Sequence, residues 1–169
     1  VDGIATEDTP LSPLTRYGRN KAAAEQIVRD TGGCVLRLAT LYGLSPRMRW
    51  DLLPNTFAKL GVAGEIRVFD GLARRTFLHV EDAASAFQHA IGARLIGVYN
   101  VGSPHLNLTK DAVAQTVQAL TGCRIIPVEG HDPDERDYAV SYAKMQDTGW
   151  STQRTLDLDQ VVAFARVWK

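Results

Sequence analysis

A tyrosine and a lysine lie four residues apart near the start of the chain, in the stretch RYGRNKAAAEQ that begins at Arg16. Residues with this spacing share one face of an α-helix, so the ammonium of Lys21 can approach the phenol of Tyr17. A phenol has an ordinary pKa of about 10, and a neighbouring positive charge favours its ionised form. Such a phenol can exchange a proton with a sugar hydroxyl or carbonyl, the step that accompanies hydride transfer to a nicotinamide. The alternative is a chance pairing on a helix surface.

The elements that would position this pair alternate between helix and strand. Ser12 and Pro13 predict an N-cap and a first helical residue, and a Gly-Gly pair predicts the end of the helix after about Arg29. The next run, CVLRLATLYG, is apolar apart from one arginine, which is typical of a strand covered on both faces in a parallel sheet.

The alternation continues to the end of the chain. Further helices are predicted over 51–60, over 81–93, from Thr109, near 142–146 and from Leu156, and strands at EIRVFD, RTFLHV, GVYNVG and RIIPV. The predicted buried face of the 81–93 helix comprises Ala83, Phe87, Ala90 and Ile91. Alternating strands and helices indicate an α/β fold.

Composition argues against several classes of protein. The 169 residues suit one domain, 45% of them are hydrophobic, and the formal net charge is zero, so a nucleic-acid partner is not indicated. No apolar run approaches the roughly 20 residues of a membrane span, and no N-terminal signal is present, which favours a cytoplasmic protein. Cys34 and Cys123 are predicted to be buried thiols, and no metal site is indicated because the histidines lack ligand-like spacing.

Four motifs occur in a fixed order: PLTRYGRNKAAAEQIV, then CVLRLATLYGLSPRMRWDLLPN, then RRTFLHVEDAASAF, then GVYNVGS. In order and spacing they resemble the C-terminal half of the extended short-chain dehydrogenases, the NAD-dependent epimerase/dehydratase family of nucleotide-sugar enzymes. The resemblance covers essentially the whole chain and implies a partial Rossmann-like fold together with the smaller substrate-binding subdomain. It also implies that Tyr17 is the catalytic acid/base, and that Lys21 both tunes it and hydrogen-bonds the nicotinamide ribose.

The same resemblance assigns expected roles to other residues. Arg75 matches an arginine that contacts the substrate pyrophosphate, and Arg136 matches a second, less constant one. Asn55 and Asp51 fall where some members place a nucleotide-binding asparagine, although Asp51 departs from that pattern and could equally be a helix N-cap. Tyr42 matches a family turn whose backbone groups meet the nicotinamide end of NAD or NADP, although a plain glycine turn that ends a strand would look the same.

The family's glycine-rich cofactor turn and its catalytic Ser or Thr have no counterpart in these 169 residues. Residue 1 is valine, so we expect the chain to be an enzyme of this family cut between its catalytic strand and its catalytic helix. The catalytic helix and last sheet strands are predicted at about 12–43 and 81–102, interleaved with substrate-binding parts at about 44–80 and 103–169. By resemblance the Tyr/Lys helix packs against its mate, so the expected partners are a nucleotide-sugar substrate and either the missing N-terminal half or a second copy of the chain.

Two functions remain open from the sequence. One is the Tyr/Lys-bearing, substrate-binding portion of an NAD(P)-dependent nucleotide-sugar epimerase, dehydratase or reductase, inactive as an isolated chain. The other is a stand-alone, non-catalytic binding or interaction module derived from that family. The sugar, the nucleotide base and the choice between NAD and NADP are not encoded in these residues.

Overall fold

Helices and parallel strand pairs alternate along the chain, as predicted. The computed structural model describes residues 3–129 and 137–168. The strands are β1 (Ile4–Ala5), β2 (Cys34–Leu38), β3 (Thr40–Tyr42), β4 (Glu65–Phe69), β5 (Arg74–His79), β6 (Gly97–Val101), β7 (Asn107–Thr109), β8 (Arg124–Val128) and β9 (Ala139–Val140). The helices are α1 (Arg16–Asp30), α2 (Leu53–Val62), α3 (Val80–Gly92), α4 (Lys110–Thr121), α5 (Ala143–Gln146) and α6 (Asp159–Val167).

The strands pair in several small sheets. Four pairs are parallel, namely β1 with β9, β2 with β6, β3 with β5 and β4 with β8, whereas β7 runs antiparallel to β5. Parallel pairs need crossover connections, which the intervening helices supply. The α/β prediction is therefore confirmed.

The run CVLRLATLYG was predicted as one strand covered on both faces, and this is wrong in two respects. The run breaks at Ala39, whose backbone N–H donates to the Val101 carbonyl at 2.9 Å, and the two halves pair with different partners. All five residues of β2 are also only half-buried. Hydrophobic pattern alone cannot locate such a break, because both halves are apolar.

Two helix starts differ from the sequence-based expectation. Helix α1 begins at Arg16 rather than at Pro13, because the Thr15 hydroxyl accepts the N–H of Gly18 at 3.0 Å and forms the N-cap. Helix α2 begins at Leu53 rather than at Asp51, so Asp51 is not its N-cap. The predicted Thr109 cap of α4 is confirmed, since its hydroxyl accepts the N–H of Ala112 at 3.1 Å.

The buried faces of the helices give the structure two hydrophobic clusters. The first joins α2, α4 and α6 to β4 and β5 through Phe57, Ile66, Phe77, Val113, Val117 and Val161 among others. The second, around β6 and α3, contains Ala39, Leu78, Ala83, Ala86, Val101, Tyr142, Met145 and Trp150.

The predicted inward face of α3 is only partly correct. Ala83, Ala86 and Ala90 are buried, but Phe87 and Ile91 are exposed. The two large side chains therefore leave an apolar strip on the surface of α3. Within the described ranges, no helix is both long and apolar enough to cross a membrane.

Candidate functional site

Helix α1 places the tyrosine and lysine together on an open surface. The Lys21 ammonium lies over the Tyr17 ring, 5.5 Å from its centroid, within the range of a cation–π contact. Tyr17 is 72% exposed, and α1 has no buried residue. The predicted proximity is therefore present, and the phenol is free to meet another molecule.

The loop between β3 and α2 holds an ion pair within electrostatic range of the same tyrosine. Arg49 forms a two-pronged ion pair with Asp51, with Nε–Oδ1 at 2.8 Å and Nη2–Oδ2 at 2.7 Å. The hydrogen bonds from Arg49 lower the pKa of the Asp51 carboxyl to about 2. Asp51 and, more weakly, the Tyr17 phenol raise the pKa of the Arg49 guanidinium above its ordinary value. Arg49 is thus paired with Asp51 and lies within electrostatic range of Tyr17.

Asn55 lies directly behind this loop, in the first turns of α2. It is buried, and its Nδ2 donates to the Arg49 carbonyl at 3.1 Å. Its Oδ1 is enclosed and has no hydrogen-bond partner in the part of the chain that the structure describes. An unpaired buried acceptor is costly, so this amide holds the loop at the expense of one unmade hydrogen bond.

Arg75 belongs to a second polar group, at the start of β5. It is only 6% exposed, so it is not a solvated arginine on a strand edge, and its Nη1 donates to the Arg74 carbonyl at 2.9 Å. Arg74 in turn binds Asp137, with Nε–Oδ1 at 2.9 Å, and lowers the pKa of that carboxyl. The predicted Arg136 lies outside the described residues.

Tyr42 is enclosed in the core rather than open to solvent. It is 1% exposed, its hydroxyl donates to the Thr155 carbonyl, and its ring meets that of His79 edge-on at 5.2 Å. The His79 Nδ1 accepts the N–H of Glu81 at 3.2 Å, so this histidine is packed and hydrogen-bonded. A cofactor contact at Tyr42 would therefore have to use its backbone.

The turn after Tyr42 can be occupied only by a residue without a side chain. Gly43 has φ +115°, and a Cβ there would lie 2.7 Å from the Nε2 of His79. The glycine therefore permits the close approach of β3 and β5 at this end. Arg75 is four residues from His79 along β5, about 13 Å at 3.3 Å per residue, so the second polar group lies at the other end of that strand.

One charged contact of α1 was not singled out from the sequence. Arg37 forms a fork with Glu25, with Nη2–Oε1 at 2.6 Å and Nε–Oε2 at 2.9 Å. The available signal was the single arginine in an apolar strand, combined with a glutamate one helical turn beyond Lys21.

Other features of the structure lie apart from these residues. A cleft of about 400 Å³ between the segment 152–156 and α4 is lined by none of the predicted site residues. In the described ranges no three His, Cys, Asp or Glu side chains are grouped so as to hold a metal. Cys123 is buried as predicted, whereas Cys34 is only half-buried, and burial raises the pKa of its thiol.

Comparisons with known proteins identify the family that the chain resembles. Residues 2–102 match the model of the NAD dependent epimerase/dehydratase family. The low-salt glycan biosynthesis protein Agl12 of Haloferax volcanii is 29% identical over 90% of this chain and 52% of its own length. A UDP-glucose 4-epimerase of Lactobacillus helveticus is 26% identical over 96% of this chain and 58% of its own length.

A solved structure gives the same result for the fold. The dTDP-glucose 4,6-dehydratase of Bacillus anthracis, determined in complex with NAD, superimposes with a TM-score of 0.81 at 29% identity, covering 96% of this chain and 55% of that one. The fold is therefore Rossmann-like, and the chain spans about half the length of the curated relatives it matches. Because the family match covers more than half of its residues, this chain belongs to the NAD dependent epimerase/dehydratase family.

Proposed function

We propose that this chain supplies the acid–base pair and the nucleotide-sugar-binding part of an NAD(P)-dependent nucleotide-sugar epimerase, dehydratase or reductase. The observation that carries the proposal is the exposed pair on α1, in which Lys21 lies over the ring of Tyr17, inside the region that matches the family. Each residue has a chemical part in such a reaction. The Tyr17 hydroxyl oxygen takes or returns the proton of the sugar hydroxyl, and Lys21 holds a positive charge beside the phenolate that forms.

The residues present fit only one end of a dinucleotide. Lys21 is exposed and can donate to the hydroxyls of a nicotinamide ribose, next to the phenol. When bound, NAD(P) takes or returns the hydride of the sugar carbon. The pyrophosphate end has no counterpart, because the sequence contains no G-x-x-G-x-x-G turn to present backbone amides. The 169 residues alone are therefore proposed to be inactive.

The nucleotide-sugar side is proposed to use the two polar groups described above. A guanidinium can bind the oxygens of a diphosphate through two parallel hydrogen bonds, which suits Arg75 and Arg136 to the substrate pyrophosphate. Asn55 in α2 and Asp51 in the loop before it are proposed to meet the nucleotide. In this assignment 12–43 and 81–102 form the catalytic part, and 44–80 and 103–169 form the substrate part.

Reconstitution tests this function. The chain is joined to the N-terminal half of a close relative, and steady-state hydride transfer is followed by the absorbance of the reduced nicotinamide. Tyr17→Phe keeps the ring but removes the transferable proton, so turnover should fall about 100-fold or more.

The chain provides a matched control at a second Tyr–Lys contact. The Lys144 ammonium lies 4.8 Å from the centroid of the Tyr99 ring, and Tyr99→Phe should leave turnover unchanged. Equal turnover in Tyr17→Phe and the unsubstituted protein would refute the acid–base role. A reconstituted protein that binds nucleotide sugar but never transfers hydride would instead support a non-catalytic binding module.

A further inference from the structure

Helix α1 lies on the surface, yet one of its side chains is almost enclosed. No residue of α1 is fully buried, but the Glu25 side chain is only 9% exposed. Both of its oxygens are held by Arg37 of β2, at 2.6 and 2.9 Å. A fork of this kind fixes direction as well as distance, because two parallel N–H groups must meet two oxygens in one plane.

The same guanidinium reaches two further parts of the chain. Its Nη1 donates to the Glu7 carbonyl at 3.1 Å, in the segment that leads into α1. The Glu7 side chain in turn accepts the N–H of Asn100, in β6, at 2.8 Å. Arg37 thus connects the catalytic helix, the segment before it and two adjacent strands.

The fork lies about two helical turns along α1 from the acid–base pair. Tyr17, Lys21 and Glu25 follow each other at intervals of four residues, so the fork stands about 12 Å from Tyr17 along the axis at 1.5 Å per residue. Fixing Glu25 fixes the rotation of the helix about its axis. That rotation decides where the Tyr17 hydroxyl points.

We propose that Arg37 and Glu25 are positioning residues that set the orientation of the helix carrying Tyr17 and Lys21. The proposal rests on the proposed function for its catalytic meaning, but the positioning itself can be measured without any substrate. Arg37 hydrogen-bonds Glu25 and lowers the pKa of that carboxyl. Enclosed ion pairs of this kind contribute little net stability and can instead specify one arrangement.

The chain contains a matched control for this pair. Arg29 approaches the same carboxylate at 3.9 Å from one turn further along α1, but its side chain is 53% exposed and makes no fork. An exposed ion pair of this kind contributes little to the free energy of unfolding. Removing Arg29 therefore takes one cation from Glu25 while leaving the contact between helix and strand intact.

Hydrogen exchange of the 169-residue chain, read by mass spectrometry, provides the first test. The variants are Arg37→Lys, which keeps the charge but not the fork, Glu25→Gln, which keeps the shape, and the control Arg29→Gln. In both fork variants, the amides of α1 should exchange at least tenfold faster than in the parent chain, whereas those of α4 should not change. In the control, the exchange rates of α1 should stay within twofold of the parent. Unchanged α1 exchange in both fork variants overturns the proposal, as does equal acceleration in α1 and α4, which would mean global destabilisation.

A spectroscopic test follows Tyr17 itself. The chain is labelled with 3-fluorotyrosine, and the fluorine resonance of Tyr17 is assigned by its loss in Tyr17→Phe. The Tyr17 resonance should move in Arg37→Lys and Glu25→Gln and stay in place in Arg29→Gln, while the core residue Tyr42 keeps its resonance throughout. A Tyr17 resonance that does not move in either fork variant overturns the proposal.

The two proposals fail in different experiments. A reconstituted protein without hydride transfer would remove the proposed function, yet exchange and fluorine spectra would still report whether the fork orients α1. Conversely, the reconstituted protein could transfer hydride while the fork variants leave the amide exchange of α1 and the Tyr17 fluorine resonance unchanged. That result would keep the proposed function and reject the positioning role.

Discussion

At the scale of single residues, Tyr42 shows how a side chain near the proposed site can serve the fold. Its buried hydroxyl donates to the Thr155 carbonyl, 113 residues away. Tyr42→Phe keeps the ring but leaves that carbonyl unpaired, so the free energy of unfolding should fall by about 1–2 kcal/mol. Urea denaturation measures the change, with Tyr17→Phe as the exposed control that should leave it unaltered. No loss in Tyr42→Phe would mean that water replaces the phenol at the Thr155 carbonyl.

The same residue predicts a pH dependence. Burial raises the pKa of Tyr42 to about 12 in the folded chain, from about 10 for a free phenol. The folded state therefore favours the neutral phenol, and this contribution is complete below pH about 10 and is lost as the pH rises through about 12. The difference in unfolding free energy between the parent and Tyr42→Phe should narrow over that range. Tyr142, whose pKa burial also raises to about 12, is present in both proteins and cancels. A constant difference would show that Tyr42 does not remain neutral in the fold.

What the sequence predicts at this scale depends on separation along the chain. The contact of Tyr17 with Lys21 follows from helical spacing alone and is present in the structure. The bond between Tyr42 and Thr155, and the fork between Arg37 and Glu25, depend on how strands and helices pack. No local pattern fixes such packing. The sequence therefore singles out the tyrosine and the arginine but does not predict their partners.

At the scale of elements, the two threonine-capped helices should respond differently to loss of the cap. Thr109 caps α4, which buries Val113 and Val117 in the core, whereas Thr15 caps α1, which buries no residue. Thr109→Ala should lower the free energy of unfolding by about 1 kcal/mol. Thr15→Ala should instead fray the first turn of α1, seen as faster amide exchange near Gly18, with little global change. Equal global losses in both variants would show that α1 unfolds together with the core.

The boundaries of elements were harder to predict than their order. Ser12 and Pro13 form a good start signal, but Thr15 forms the cap, since several suitable residues lie within a few positions. Phe87 and Ile91 are exposed although they were predicted to be buried. Three or four apolar residues per two turns can define more than one helix face, so the pattern alone does not select the buried one. The sheet partners decide which face is used, and those partners are distant in sequence.

At the scale of the whole molecule, cofactor affinity tests which parts of a dinucleotide site the chain holds. Lys21 and Tyr17 can meet a nicotinamide ribose, but no glycine-rich turn is present to bind the pyrophosphate. The 169-residue chain should therefore bind NAD or NADP no better than roughly millimolar, which corresponds to about 4 kcal/mol. Titration calorimetry measures this, and micromolar binding would mean that another part of the chain binds the phosphates.

Self-association is the second property of the whole chain, and its surface argues for it. Ile27 on α1 is 66% exposed, and beside it on the helix lie the exposed Ala23 and Ala24, which would let another helix approach closely. Two copies can cover this apolar face by pairing it with itself. Light scattering at high concentration should therefore report a dimer or a larger assembly.

A charge substitution on α1 tests whether association uses this face or any exposed apolar side chain. Ile27→Glu places a carboxylate within the proposed contact and should shift the chain toward monomer, because pairing the two faces would bury two like charges. Leu72→Glu is the control, since Leu72 is 82% exposed in the turn between β4 and β5 and should not alter the assembly. A parent chain that stays monomeric at high concentration would refute self-association. Dissociation by both substitutions would show that association follows total apolar surface rather than the face of α1.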